Sequence, residues 1–196
     1  MTDEHLLIMR AQGGDMEAFR ELVERSRIKV FRLAYDLTGS RHDAEDLSQD
    51  VFVKAFRSLS TFRGAAKWST WLYRITVNAC LDHRRSASAE TTEFRDDIGS
   101  NEMESAHSHE RKTITPDRAT ESSLIQQNIE RALSQLAPQE RSVFVLRHYH
   151  DLPLKQIADT LQVAEGTVKS YLFRAVQRLQ QELSFYRRDL GLEKRQ

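Results

Sequence analysis

The chain has 196 residues, with 29 Lys and Arg balanced by 29 Asp and Glu, only 7 Gly and 3 Pro, and a single cysteine. That length holds one or two small domains, and a charge-rich composition poor in Gly and Pro is that of a helix-rich protein in water. A disulfide scaffold and a multi-cysteine zinc site are excluded, no apolar run reaches the roughly 18 residues of a membrane span, and the acidic start MTDEHLLIMRAQGGD lacks a signal-peptide layout, so a cytoplasmic protein is expected.

Residues 2–13 read as a short helix stopped by Gly13-Gly14. Asp15 is a good N-cap for a second helix, and Glu17 adds a negative charge to its first turn. Its apolar stripe is Phe19, Leu22, Val23, Val30, Leu33, Ala34 and Leu37, and Gly39 ends it. A third helix is expected from about Asp43 to Leu59. Ala44, Leu47, Val51, Ala55 and Leu59 form its core stripe. Glu45, Gln49, Phe52 and Phe56 fall on one arc beside that stripe, with Asp46, Asp50 and Arg57 further round. Two phenylalanines among polar groups make either a protein-docking surface or the edge of a wide core stripe.

A loop is expected at Thr61–Lys67, then a fourth helix at about Trp68–Arg85. Trp68, Trp71, Leu72 and Ile75 recur at core spacing, and Cys80 lies within the apolar pattern as a packed thiol. Arg74, Asn78, Leu81 and Arg85 lie along another face. The loop Phe62-Arg63-Gly64-Ala65-Ala66-Lys67 offers an aromatic, two cations and a glycine beside Tyr73, Arg74 and Asn78. Aromatics give stacking surfaces, cations track phosphate and Asn can read a base edge, so the composition suits single-stranded DNA. It also suits an ordinary solvated loop.

The segment 87–123 differs. It carries 9 acidic and 4 basic side chains, net −5, whereas residues 1–86 (14 basic, 12 acidic) are +2 and residues 124–196 (11 basic, 8 acidic) are +3. Ser, Thr, Glu and Asp dominate it and apolar residues are few, so it is read as a flexible acidic linker. His107 and His109 lie there without recognisable ligand spacing, and no metal or cofactor is expected.

Helical periodicity resumes at Leu124, with Ile125, Ile129, Ala132, Leu133 and Leu136 on one stripe. Pro138 opens a further helix that breaks at His150-Asp151 and Pro153. Leu154, Ile157, Ala158 and Leu161 then mark a short helix, and a longer one follows over about Glu165–Tyr186. On the latter, Val168, Leu172, Ala175 and Leu179 share one face. Thr167, Ser170, Arg174, Gln177 and Arg178 share the opposite face, flanked by Lys169, Tyr171 and Phe173. One face for a scaffold and one with hydrogen-bonding and cationic groups is the layout of a helix-turn-helix recognition helix. An ordinary helical hairpin with a solvated face has the same periodicity. Gln162 stands in the turn where Gly is common, at some cost if its φ is positive.

AEDLSQDVFVKAF (Ala44–Phe56), TFRGAAKWSTWLYRITVNACLDHRR (Thr61–Arg85) and LPLKQIADTLQVAEGTVKSYLFRAVQRLQ (Leu152–Gln180) together resemble bacterial sigma factors of the extracytoplasmic function (ECF) group. The resemblance implies an all-α protein of two small helical domains: sigma domain 2 at 1–86, the acidic linker at 87–123 and sigma domain 4 at 124–196. It implies a protein that binds RNA polymerase core, recognises −35 and −10 promoter elements and assists melting, and that is not an enzyme. Asp46, Gln49 and Asp50, with Phe52 and Phe56 nearby, are similar to the surface that binds the polymerase β′ clamp. Thr61–Lys67 is similar to the loop that captures a flipped base of the −10 element, with Asn78 lining the pocket. Trp68, Trp71 and Tyr73 resemble aromatics near the melted strand, although the helical wheel puts both tryptophans on the core side. Lys169, Ser170, Phe173 and Arg174 match positions that read the −35 element. Tyr171 departs from the arginine common there, and it lacks arginine's fixed charge and planar fork. The family linker threads into the polymerase, where a net −5 would mimic nucleic acid in a basic channel. The implied partners are the β′ clamp and β flap of core polymerase, promoter DNA and an anti-sigma factor.

Two other readings stand beside this one. A stand-alone helix-turn-helix regulator accounts for the C-terminal segment but leaves the docking helix and loop without a purpose. An enzyme reading lacks a nucleophile–base motif, a phosphate loop or a ligand cluster.

Overall fold

The computed structural model describes residues 3–96 and 127–184. Most of the expected linker, with His107 and His109, and the chain after 184 lie outside the described residues. Helices α1 (Asp3–Gln12), α2 (Met16–Thr38), α3 (Arg41–Ser58) and α4 (Trp68–Asp96) build the first domain, with a 3₁₀ turn at Leu59–Thr61. Helices α5 (127–134), α6 (Pro138–His148), α7 (Leu154–Leu161) and α8 (Glu165–Glu182) build the second. Among the described residues there is no strand, and no described helix is long and apolar enough to cross a membrane.

Local signals explain most boundaries. Asp15 accepts the amides of Glu17 and Ala18 at 3.0 and 3.1 Å, which satisfies two of the orphan donors at the start of α2. Gly39, at φ 76°, closes α2 by donating to Tyr35 O at 2.7 Å, in the left-handed geometry that glycine adopts without a Cβ clash. α3 starts at Arg41 rather than Asp43, because Ser40 is its cap and accepts the Asp43 amide at 3.2 Å.

α4 departs most from expectation. It runs on to Asp96, ten residues into the segment read as linker. Ser86 to Asp96 contains neither Gly nor Pro, so nothing stops a helix already nucleated by a packed first half. Low apolar content is no barrier to helix propagation.

The first domain buries Leu22, Leu33, Val30, Val51, Leu72 and Val77 between α2, α3 and α4. Each such side chain contributes about 1.5–3 kcal/mol on burial. Cys80 is enclosed as well, and burial pushes its thiol up to about 12. In the second domain Ala132, Leu133, Leu136, Ala175 and Leu179 form one cluster, joining α5 and its following turn to α8.

The two domains also meet. Val143, Leu146, Ile157 and Val168 are continuous with the core of the first domain. His150 Nε2 lies 3.0 Å from Asp36 Oδ2, and Gln156 donates to Thr70 Oγ1 at 2.9 Å. Arg141 donates to Asp36 O at 3.1 Å, and its burial pulls its guanidinium down to about 10. No pattern along the chain announced this contact, since its partners are over 80 residues apart in sequence.

Candidate nucleic-acid interface

The loop between Thr61 and Trp68 is held from both ends. Thr61 itself belongs to the 3₁₀ turn. Gln12, from α1, donates one amide group to two carbonyls, Leu59 O at 3.0 Å and Phe62 O at 2.7 Å. The Phe62 ring is 9% exposed and packs on Trp68 and Trp71 with centroids 5.7 and 5.1 Å away. Trp68 in turn donates its indole N–H to Ser26 Oγ at 3.1 Å. Gly64 takes φ 69°, which lets the loop reverse. Arg63, Gly64, Ala65, Ala66 and Lys67 are all exposed, Asn78 is exposed on α4, and Arg74 is half-buried.

This placement corrects part of the sequence reading. Phe62 is not presented as a stacking surface. Its ring is the loop's anchor, and the small and cationic residues are what the loop displays. Trp68, Trp71 and Tyr73 are buried too, so none of the three offers a face to a melted strand in this conformation. Tyr73 packs edge-on against His150 of the second domain at 5.6 Å. The burial of the two tryptophans follows their core spacing on α4.

On α3 the polar arc is outside. Gln49 and Asp50 are exposed, and exposed Asp46 lies 3.6 Å from His42. Phe56 is 46% exposed, its ring set edge-on against Phe19 at 5.0 Å, while Phe52 is half-buried against the core. The stripe Ala44, Leu47, Val51, Ala55 and Leu59 is fully buried. The two phenylalanines are therefore divided, one against the core and one largely on the surface.

On α8 the two faces separate cleanly. Val168, Ala175 and Leu179 are buried, and Leu172 is half-buried. Lys169, Ser170, Phe173, Arg174 and Arg178 are exposed, with Thr167 and Tyr171 half-buried at the edges. Phe173 is 64% exposed. Lys169 pairs with Glu165 at 3.1 Å, and Ser170 Oγ donates to Gly166 O at 3.0 Å. The Arg174 guanidinium sits 5.1 Å from the centre of the Tyr171 ring. Tyr171 thus supports the neighbouring arginine through its face. Gln162 ends α7 at φ 54°, ψ 44°, the left-handed conformation expected of that turn.

The comparisons with known proteins agree with this geometry. Residues 22–90 match the family model of Sigma-70 region 2, and residues 126–179 match that of Sigma-70, region 4. The ECF RNA polymerase sigma-E factor of Escherichia coli (strain K12) is 33% identical over 89% of this chain and 91% of its own length. The RNA polymerase sigma-H factor of Pseudomonas aeruginosa is 32% identical over 86% of this chain and 88% of its own. This chain belongs to the ECF sigma factors. Among solved structures, the sigma factor RpoE of Bartonella quintana, crystallised with the anti-sigma factor NepR, matches with a TM-score of 0.64 and 25% identity over 85% of this chain and 96% of that one.

As an ECF sigma factor the protein is a transcription initiation factor and not an enzyme. The stand-alone regulator is disfavoured, because the Sigma-70 region 2 match covers α3 and the following loop, a region that such a regulator does not need.

Two residues that serve these surfaces escaped the sequence reading. Gln12 fixes the loop from α1, and nothing in its local pattern marks it. Glu140, third in α6 behind Pro138, carries a visible capping signature. The signature gives no hint that Glu140 also faces α8.

Proposed function

We propose that the sigma factor divides promoter and polymerase recognition among these three surfaces. On α8, Thr167, Lys169, Ser170, Tyr171, Phe173, Arg174 and Arg178 read the −35 element in the major groove. The loop Phe62–Lys67, with Arg74 and Asn78, captures a flipped base of the −10 element, Phe62 serving as anchor and Arg63 and Lys67 following the backbone. On α3, Asp46, Gln49, Asp50, Phe52 and Phe56 dock on the β′ clamp. The second domain meets the β flap, and an anti-sigma factor is the expected inhibitor. Domain limits of 1–86 and 124–196 and a cytoplasmic location go with this reading. The helical extension to Asp96 belongs to the start of the connecting segment.

The observation that carries the reading is the division of α8: Val168 and Ala175 are fully enclosed while Ser170, Phe173 and Arg174 are exposed at the positions that match the family's −35 readers. Gln156 of α7 is bonded to Thr70, just beyond the loop, while Arg63 to Lys67 stay exposed. The experiment is transcription and footprinting by reconstituted holoenzyme on −35 mutants. Arg174→Ala should lower discrimination by about 1–3 kcal/mol at one base pair, the range for a lost bidentate contact. Unchanged −35 preference would remove α8 from the reading. On the α3 face, Gln49→Ala with Asp50→Ala should leave melting within about 0.5 kcal/mol per site and weaken core binding by about 2 kcal/mol or more. A folded double mutant that binds core normally would detach this face from the mechanism.

A further inference from the structure

Glu140 is a buried carboxylate, at 3% exposure. One of its oxygens accepts the Ala137 amide at 3.4 Å, half of a capping box, since Ala137 has no oxygen to return the contact. Capping alone does not call for burial; an exposed glutamate caps as well. What encloses Glu140 is α8. Its Oε1 lies 3.5 Å from Arg174 Nε and its Oε2 lies 3.5 Å from Arg178 Nη1. These arginines are one helical turn apart, so a single carboxylate reaches both. A buried carboxylate is held only where charge partners compensate its lost hydration. Here the partners are two half-exposed cations of the face proposed to read DNA.

The contacts of Arg174 constrain its orientation further. Nε also points to Ser170 O at 3.4 Å, and the guanidinium plane rests by the Tyr171 ring. With Nε turned toward Glu140 and its own helix, the two terminal amino groups are left to meet a base edge.

We propose that Glu140 is a positioning residue for −35 recognition. It fixes the guanidinium groups of Arg174 and Arg178 before DNA arrives, and it trades general attraction for selectivity. A carboxylate beside two cations weakens their pull on any phosphate. Fixed planes lower the ordering cost of the correct bidentate contact alone. The inference rests on the reading of α8 as the −35 helix.

The test uses holoenzyme reconstituted with core polymerase, a matched promoter, promoters changed at each −35 base, and an unrelated duplex. Glu140→Gln keeps the size and the Ala137 acceptor and removes the charge. It should lower the matched-to-mismatched ratio about three- to tenfold, part of the range for one bidentate pair, while binding to unrelated duplex stays or rises. Damage to the fold alone would lower every affinity by one factor, and that outcome overturns the proposal, as does an unchanged ratio. A second arm leaves Glu140 in place. Arg178→Ala frees the carboxylate to swing onto Arg174, so it should change discrimination at the base read by Arg174. Its fold-change should then fail to multiply with that of Arg174→Ala in the double variant. Simple multiplication refutes a shared clamp. If Arg174→Ala itself leaves −35 preference intact, the reading of α8 fails and this inference with it. If Arg174→Ala acts and Glu140→Gln is silent, the positioning role alone is refuted.

Discussion

Phe62 and Phe173 belong to the two surfaces proposed to meet promoter DNA, and the fold uses them in opposite ways. Phe62 turns into the tryptophan cluster, while Phe173 stands out from α8 into solvent. A loop has no ladder of its own backbone bonds to keep its shape, so it spends its aromatic on an anchor and displays small and cationic residues. A helix is already rigid and is seated by its opposite face, here Val168, Ala175 and Leu179. It can therefore display its aromatic. The residue type alone does not say which use applies; the element that carries it does.

That contrast can be broken by measurement. The largest effect expected is from Phe62→Ala. Removing a ring packed on Trp68 and Trp71 should destabilise the first domain by about 3 kcal/mol or more in thermal or denaturant melting. A loss under about 1 kcal/mol would mean that the ring is not the anchor. Next comes Gln12→Ala, which frees two carbonyls at the base of the loop. Stability should fall by about 1 kcal/mol, and backbone amides of residues 63–66 should exchange faster with solvent. If their exchange is unchanged, Gln12 does not shape the loop.

Smaller effects sharpen the helical side. Gln162→Gly should raise stability by roughly 0.5–1 kcal/mol, since the left-handed strain it relieves exceeds the added freedom of glycine in the unfolded chain. A destabilised variant would show that the Gln162 side chain contributes more than its backbone costs. Phe173→Ala should shift melting by less than about 0.5 kcal/mol while weakening −35 promoter binding. A clear loss of stability would put Phe173 in the same class as Phe62 and erase the contrast.

The smallest effect concerns the cap of α2. The Ala18 amide, with Arg10 beside it, holds the Asp15 carboxyl below its ordinary range. The cap's charge-dependent contribution is complete above the unfolded carboxylate value of about 3.9. It is lost as pH falls through the lower folded value. Asp15→Ser caps without titrating. The difference in melting temperature between the two proteins should therefore shrink on acidification from about pH 6 to pH 3. A constant difference would show that Asp15 acts as a neutral cap.

The sequence by itself determined the helices, their order and their buried faces. Those follow from short-range rules: Asp15 and Gly39 punctuate α2, and the stripes of α3 and α8 recur every three or four residues. It also determined which family the chain resembles, because three motifs stand in one order. The end of α4 at Asp96 is not legible in the apolar pattern, because backbone bonding needs no apolar side chain to continue. The tertiary structure decided the rest. Which aromatic of the loop region is anchor and which is display depends on what packs beneath it. That Gln12 steadies a loop some 50 residues away, that Glu140 faces Arg174 and Arg178, and that Asp36 meets His150 and Arg141 are all contacts between distant segments. Periodicity reports only which way a residue faces along its own helix. What it faces there is set when the helices pack.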